Sequence, residues 1–187
     1  MTPSILADHC SGTLRRLGLG GMRDLIDVNC EDIARCAGLE WLELRACARI
    51  SDTGVKQIGL LAGRQSRARA GWSAEEGAGK SPPPALTHLD LGGVGRLSDE
   101  GLGKLLSRAV HIRTLDLRGC SSLTADGQAR ALLGQTISGV PTTVSQSPPL
   151  PDLGRVTLSA CCPGADDLRR LFVRCRPNVT LFPKGEA

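Results

Sequence analysis

Eight cysteines, three histidines and a glycine-lysine-serine run are the residues of this 187-residue chain with chemistry to offer. The run Ala74-Glu75-Glu76-Gly77-Ala78-Gly79-Lys80-Ser81 fits a relaxed phosphate-binding loop. Such a loop works when a strand delivers it and a helix N-terminus receives the phosphates. Here Pro82-Pro83-Pro84 follows instead of a helix, so no nucleotide cofactor is expected. Gly18-Leu19-Gly20-Gly21 is no dinucleotide fingerprint, because Arg23 occupies the third glycine's place. No two cysteines form a C-x-x-C pair, and Cys30, Cys36 and Cys47 have no histidine nearby; no metal site is expected. The adjacent Cys161-Cys162 pair is the one place where redox chemistry is conceivable. His88 and Asp90 lack a nucleophile to serve, so they read as exposed polar residues. No catalytic set emerges, and the chain is expected not to be an enzyme.

Composition points the same way. Hydrophobic residues make up 41% of the chain, enough to close a core, yet there are only two Phe, two Trp and no Tyr. A core of Leu, Val, Ile, Ala and Cys suits thin repeated layers. The net charge of +4 creates no large single-sign field, and Arg64, Arg67 and Arg69 have no stacking aromatics beside them for RNA. A nucleic-acid partner is not expected. Neither a signal peptide nor an apolar run of about 18 residues is visible, so the expectation is a cytoplasmic protein, with the nucleus also open to it, free thiols and no membrane contact. The Asn178-Val179-Thr180 sequon then carries no meaning.

The elements that must position these residues come from an internal repeat. Leu14-x-x-Leu17-x-Leu19, Leu39-x-x-Leu42-x-Leu44, Leu86-x-x-Leu89-x-Leu91, Ile112-x-x-Leu115-x-Leu117 and Leu153-x-x-Val156-x-Leu158 align on one another. A further residue follows three positions later: Met22, Cys47, Val94, Cys120 and Cys161. The period is about 26 residues, interrupted twice. Each x-Leu-x-Leu core alternates as a one-faced strand does and is too short to stand alone. Ile50-Ser51-Asp52-Thr53-Gly54, Leu97-Ser98-Asp99-Glu100-Gly101 and Leu123-Thr124-Ala125-Asp126-Gly127 then place a hydroxyl and a carboxylate where they can cap a helix. Val55, Ile58 and Leu61, then Leu102, Leu105, Leu106 and Ala109, recur at helical spacing, as do Leu168, Leu171 and Phe172. Cysteine at the turn position suits a tight interior layer. Residues 177–182 read as one more strand without its helix. The extra segments, about 63–84 and 134–152, are poor in aliphatics or rich in Ser, Thr, Pro and Gly; they are expected to be loops on one rim.

The pattern C-x-x-L-x-x-L-x-L-x-x-C-x-x-I/L-S/T-D-x-G-V/L, almost whole between Cys36 and Val55, resembles the cysteine-containing leucine-rich repeats of F-box/LRR substrate receptors of ubiquitin ligases. The likeness covers residues 14–61, 86–133 and 153–181. It implies an α/β leucine-rich-repeat solenoid of about five repeats in a single domain spanning 1–187. A curved parallel sheet would lie on the concave side, helices on the convex side, and a protein partner on the concave face. It also implies a substrate-recognition or adaptor role in an SCF-type ligase, although repeat sequence begins by Leu14 and no F-box is visible. Ubiquitin-ligase subunits would then be among the partners. The alternative is a structural subunit of a larger assembly, such as a ciliary or organellar complex.

If the aliphatics point inward, the intervening residues point outward in three columns. The first is Arg16, Trp41, His88, Thr114 and Arg155; the second Gly18, Glu43, Asp90, Asp116 and Thr157; the third Gly20, Arg45, Gly92, Arg118 and Ser159. Glu43, Asp90 and Asp116 form an acidic stripe flanked by Arg45 and Arg118, suited to a protein carrying both signs. The alternative is a solvated face whose charges neutralise each other. Trp41 is the candidate anchor, since Trp is enriched among interface hot spots; the competing reading has residues 1–10 folding over it.

Overall fold

In the computed structural model, which describes residues 12–73, 81–137 and 150–181, each x-Leu-x-Leu segment forms a short strand. These are β1 (Arg16–Gly18), β2 (Trp41–Glu43), β3 (His88–Asp90), β4 (Thr114–Asp116) and β5 (Arg155–Thr157), with β6 (Thr180–Leu181) after them. They make one parallel sheet in the order β1-β2-β3-β4-β5-β6. Between successive strands run α1 (Asp27–Ala34), α2 (Asp52–Ala70), α3 (Asp99–Leu106), α4 (Ala125–Leu133) and α5 (Ala165–Cys175). This is an α/β leucine-rich-repeat solenoid. Strands repeat every 4.7–4.9 Å but packed helices need about 8–10 Å, so the stack bends with its sheet on the inner side. No described helix is long and apolar enough to cross a membrane.

The register puts Leu17, Leu42, Leu89, Leu115, Val156 and Leu181 side by side. Leu42, Leu89, Leu115 and Val156 are almost wholly buried, and they meet Ile58, Leu61, Leu102, Leu105, Leu132, Leu168 and Phe172 from the helices in one core. Each such side chain removed from water contributes about 1.5–3 kcal/mol. Cys47 and Cys120 belong to this core, and each thiol donates to a carbonyl of the preceding repeat: Leu19 O at 3.2 Å and Leu91 O at 3.1 Å.

Hydroxyl and carboxylate of the S/T-D-x-G motif have separate tasks. Ser51, Ser98 and Thr124 cap their own helices, accepting from the N–H groups of Thr53, Gly101 and Gly127. The carboxylates instead reach across to the next repeat. Asp27 accepts from Ser51 N (2.8 Å), Ser51 Oγ (2.6 Å) and Gly54 N (3.1 Å). Asp52 does the same for Ser98 N and Oγ, and Asp99 for Thr124 N and Oγ1. Glycine is demanded in the first turn because a Cβ at Gly101 would sit 2.1 Å from Asp52 Oδ1, and one at Gly127 would sit 1.8 Å from Asp99 Cγ. The ladder stops at α4, where Ala125 takes the aspartate's place and Gly164 begins α5 without a side-chain cap.

Three expectations are corrected. The first insertion does not start as a loop at residue 63, because α2 continues to Ala70. Its last turns lack aliphatics but are tied down by polar bonds. Gln65, 4% exposed, donates to Ala37 O (2.9 Å) and Leu39 O (2.8 Å) and accepts from Leu86 N (2.9 Å). Arg64 donates to Ala34 O, and Arg69 to Pro83 O at 2.7 Å. The second insertion ends inside the core rather than outside it, since Leu150 is fully buried. Cys161 is exposed, unlike Cys47 and Cys120. In the repeats of β1 to β4 the turn after the strand passes through a left-handed residue, Gly21, Ala46, Gly93 or Gly119 (φ 77, 58, 75 and 68°). Ala160, at the matching place, does not take up a positive φ, so the chain leaves β5 differently, and Cys162 rather than Cys161 packs against the core. Residues 74–80 of the glycine-lysine-serine run and 138–149 of the second insertion lie outside the described residues, as does Phe182.

Candidate functional site

The first two columns are what the sheet aligns. Arg16 pairs with Trp41, Trp41 with His88, His88 with Thr114 and Thr114 with Arg155; Gly18, Glu43, Asp90, Asp116 and Thr157 pair likewise. The third column keeps register beyond the strand ends, because Leu44 N donates to Asp90 O and Ala46 N to Gly92 O. Arg16, Arg45, Arg118 and Arg155 are exposed, and Trp41, Glu43, His88, Asp90, Thr114 and Asp116 are half-buried. Thr157 and Ser159 are corrections: both are buried, Thr157 at 7% exposure. Thr157 carries a short side chain in register with Asp116, and Ser159 turns its hydroxyl inward to Cys120 O at 3.0 Å, so neither offers a contact.

Around Trp41 the face becomes concave. Arg16, Glu40, Trp41, Thr87 and His88 line a hollow of about 280 Å³. The Arg16 guanidinium lies 5.1 Å from the Trp41 ring centroid, within cation–π range. Thr87 Oγ1 contacts Glu40 O at 3.2 Å and His88 Nδ1 at 2.8 Å. A carbonyl only accepts, so both bonds form together when Thr87 donates to Glu40 and His88 Nδ1–H donates to Thr87. His88 Nε2 is left as an acceptor. Burial, and then the charges of Arg16, Arg113 and Arg155, push the His88 pKa below its ordinary value, which keeps the ring neutral near pH 7. Glu40 and Thr87 were not among the outward columns. Each precedes its strand, where alternation gives no sign that a side chain reaches the hollow.

The acidic stripe is unevenly compensated. Arg118 pairs with Asp116 at 2.7 Å and donates through Nε as well, which raises the Arg118 pKa. Asp90 accepts from Gly92 N at 2.8 Å. Burial raises the Asp90 pKa, the Gly92 bond opposes the rise, and the charges of Asp116 and Glu43 add to it. Among the described residues neither Glu43 nor Arg45 has an ion-pair partner. The Glu43 carboxylate leans over Gly18 and Gly20, 3.4 and 2.8 Å from where their Cβ atoms would stand. Residues 1–10, the alternative cover for Trp41, lie outside the described residues. No group of three or more His, Cys, Asp or Glu able to hold a metal occurs among the described residues.

Fold and face together define the class: a leucine-rich-repeat solenoid with an open sheet face. No protein-family profile matches the chain, and no curated protein matches it. Among solved structures, a chain in the crystal structure of the Rad7 and Elc1 complex in yeast is similar, with TM-score 0.48 and 13% sequence identity. The match covers 88% of the present chain and 42% of that chain, so the present chain spans less than half of that one's length.

Proposed function

We propose that this protein is a non-catalytic interaction scaffold of the cytoplasm or nucleus that holds a protein partner against its sheet face. The observation that carries the reading is Trp41. One of only two tryptophans in the chain, it stands half-buried on an open strand face at the edge of a hollow, beside columns of both charges. A large rigid ring at a concave spot, rimmed by charge, is the anatomy of an interface hot spot.

The more specific reading is a substrate-recognition or adaptor component of an SCF-type ubiquitin ligase. It rests on the repeat pattern between Cys36 and Val55 and on the interior, carbonyl-bonded place of Cys47 and Cys120 within it. Affinity purification of the tagged full chain followed by mass spectrometry tests it. Recovery of adaptor and cullin subunits is the expected result. Recovery of other proteins without them reduces the role to a general scaffold.

A further inference from the structure

Alternate residues of a strand lie about 6.6–6.8 Å apart on one face, and any extended segment laid along that strand has the same spacing. The columns therefore impose an order on such a segment. Along β2 and its continuation the face offers Trp41, then Glu43, then Arg45: aromatic, acidic, basic. β3 reinforces the first two steps with neutral His88 and with Asp90, and at the third has Gly92, over which the Arg45 stem lies. On the other side Gly18 and Gly20 carry no side chains, and the Trp41 ring beside Gly18 and the Glu43 carboxylate over both lean into that space toward β1. Asp116 is already answered by Arg118, whereas Glu43 and Arg45 have no ion-pair partner among the described residues. Glu43 and Arg45 thus stand in line with Trp41 along β2 and its continuation, with Asp90 beside Glu43 on β3.

We propose that this face binds an extended protein segment lying along β2 and its continuation and carrying an apolar side chain, a basic one and an acidic one at alternate positions. The apolar group enters the hollow against Trp41, the basic group meets Glu43 and Asp90, and the acidic group meets Arg45. A uniformly basic or uniformly acidic partner is disfavoured because each column would repel what its neighbour attracts. The proposal rests on the reading of the sheet face as the binding surface and adds the charge order of the ligand.

Fluorescence anisotropy with the full chain tests this, using labelled peptides of the form Leu-x-Arg-x-Asp in both chain directions. The control is Leu-x-Asp-x-Arg, also in both directions, identical in composition with only the charges exchanged. The expected result is that a first-pattern peptide binds at least about tenfold tighter than its exchanged counterpart, a preference that Glu43→Gln and Trp41→Ala each reduce. Equal affinities, a preference for the exchanged order, or no binding by any peptide overturns the proposal. If the peptides fail while Trp41→Ala still abolishes capture of a cellular partner, the charge order is wrong and the binding face stands. If Trp41→Ala leaves that capture intact, the face itself is wrong.

Discussion

The Asp52 carboxylate, at the first position of α2, accepts from the backbone N–H of Ser98 at 2.8 Å and from the Ser98 hydroxyl, the residue that caps α3. One repeat thus orients the start of the next. The same bond from Asp27 to Ser51 and from Asp99 to Thr124 fixes the helix starts of four successive repeats in line, which keeps the sheet columns in register.

Two glycines of α3 separate this ladder from simple helix propensity. Gly101→Ala places a Cβ against Asp52, and about 1–3 kcal/mol of stability is lost. Gly103 has no atom within 4 Å of a would-be Cβ, so Gly103→Ala gains about 0.5–1 kcal/mol from the lower entropy of alanine. Urea unfolding of the two variants should move in opposite directions; movement in the same direction would remove the steric role assigned to Asp52.

Gln65→Ala strands the carbonyls of Ala37 and Leu39 and the N–H of Leu86 in a buried place. A loss of about 3 kcal/mol is expected, well beyond that for the half-buried Gln57, whose bond to Glu31 lies at the surface. Thermal unfolding of Gln65→Ala and Gln57→Ala side by side checks this.

Thiol chemistry should divide the cysteines by place. Burial pushes Cys30 up to about 12 and Cys120 up to about 11, and raises Cys47 as well, leaving almost no thiolate at neutral pH. Cys161 and Cys175 are exposed. In native protein a maleimide should modify these two rapidly and Cys30, Cys36, Cys47 and Cys120, all buried, only after unfolding, as peptide mapping would show.

Asp90 stores a functional cost. Its folded-state pKa is raised, so its carboxylate weakens the fold at neutral pH; relative to neutral pH, the stability is fully present below the unfolded value near 4 and is lost as pH rises through the folded pKa. Asp90→Asn, which retains an acceptor for Gly92 N, should raise the melting temperature at pH 7 but not at pH 3. The same change should weaken binding of a basic group at the stripe. A melting temperature that falls at pH 7 would contradict the cost assigned to burying this carboxylate and, after burial, to its neighbours Asp116 and Glu43.

The repeat positions of Leu and Val disclosed all five longer strands and their pairing, because period-two alternation is a direct consequence of strand geometry. Hydroxyls at helix starts were equally readable. The aspartates beside them looked like caps for their own helices; that they serve the next repeat depends on how helices stack, which no single motif records. The end of α2 escaped notice because Arg64 to Ala70 offers no apolar period, and Gln65 replaces it with buried hydrogen bonds. Cys161 followed the letter of the repeat, yet the chain leaves β5 without the left-handed residue of the other turns, and its neighbour Cys162 packs against the core. Of the face, the columns were visible in advance. The hollow was not, since Glu40 and Thr87 reach it from outside the alternation.

The most direct measurement is quantitative capture of cellular proteins by the tagged full chain, comparing Trp41→Ala on the sheet face with Lys56→Ala, an exposed change on α2. The account predicts that partners retained by the unaltered protein fall about tenfold or more with Trp41→Ala, as for a hot spot, while Lys56→Ala retains them and both variants melt like the parent. Full retention by Trp41→Ala, or loss with Lys56→Ala alone, would contradict the placement of the binding surface on the sheet.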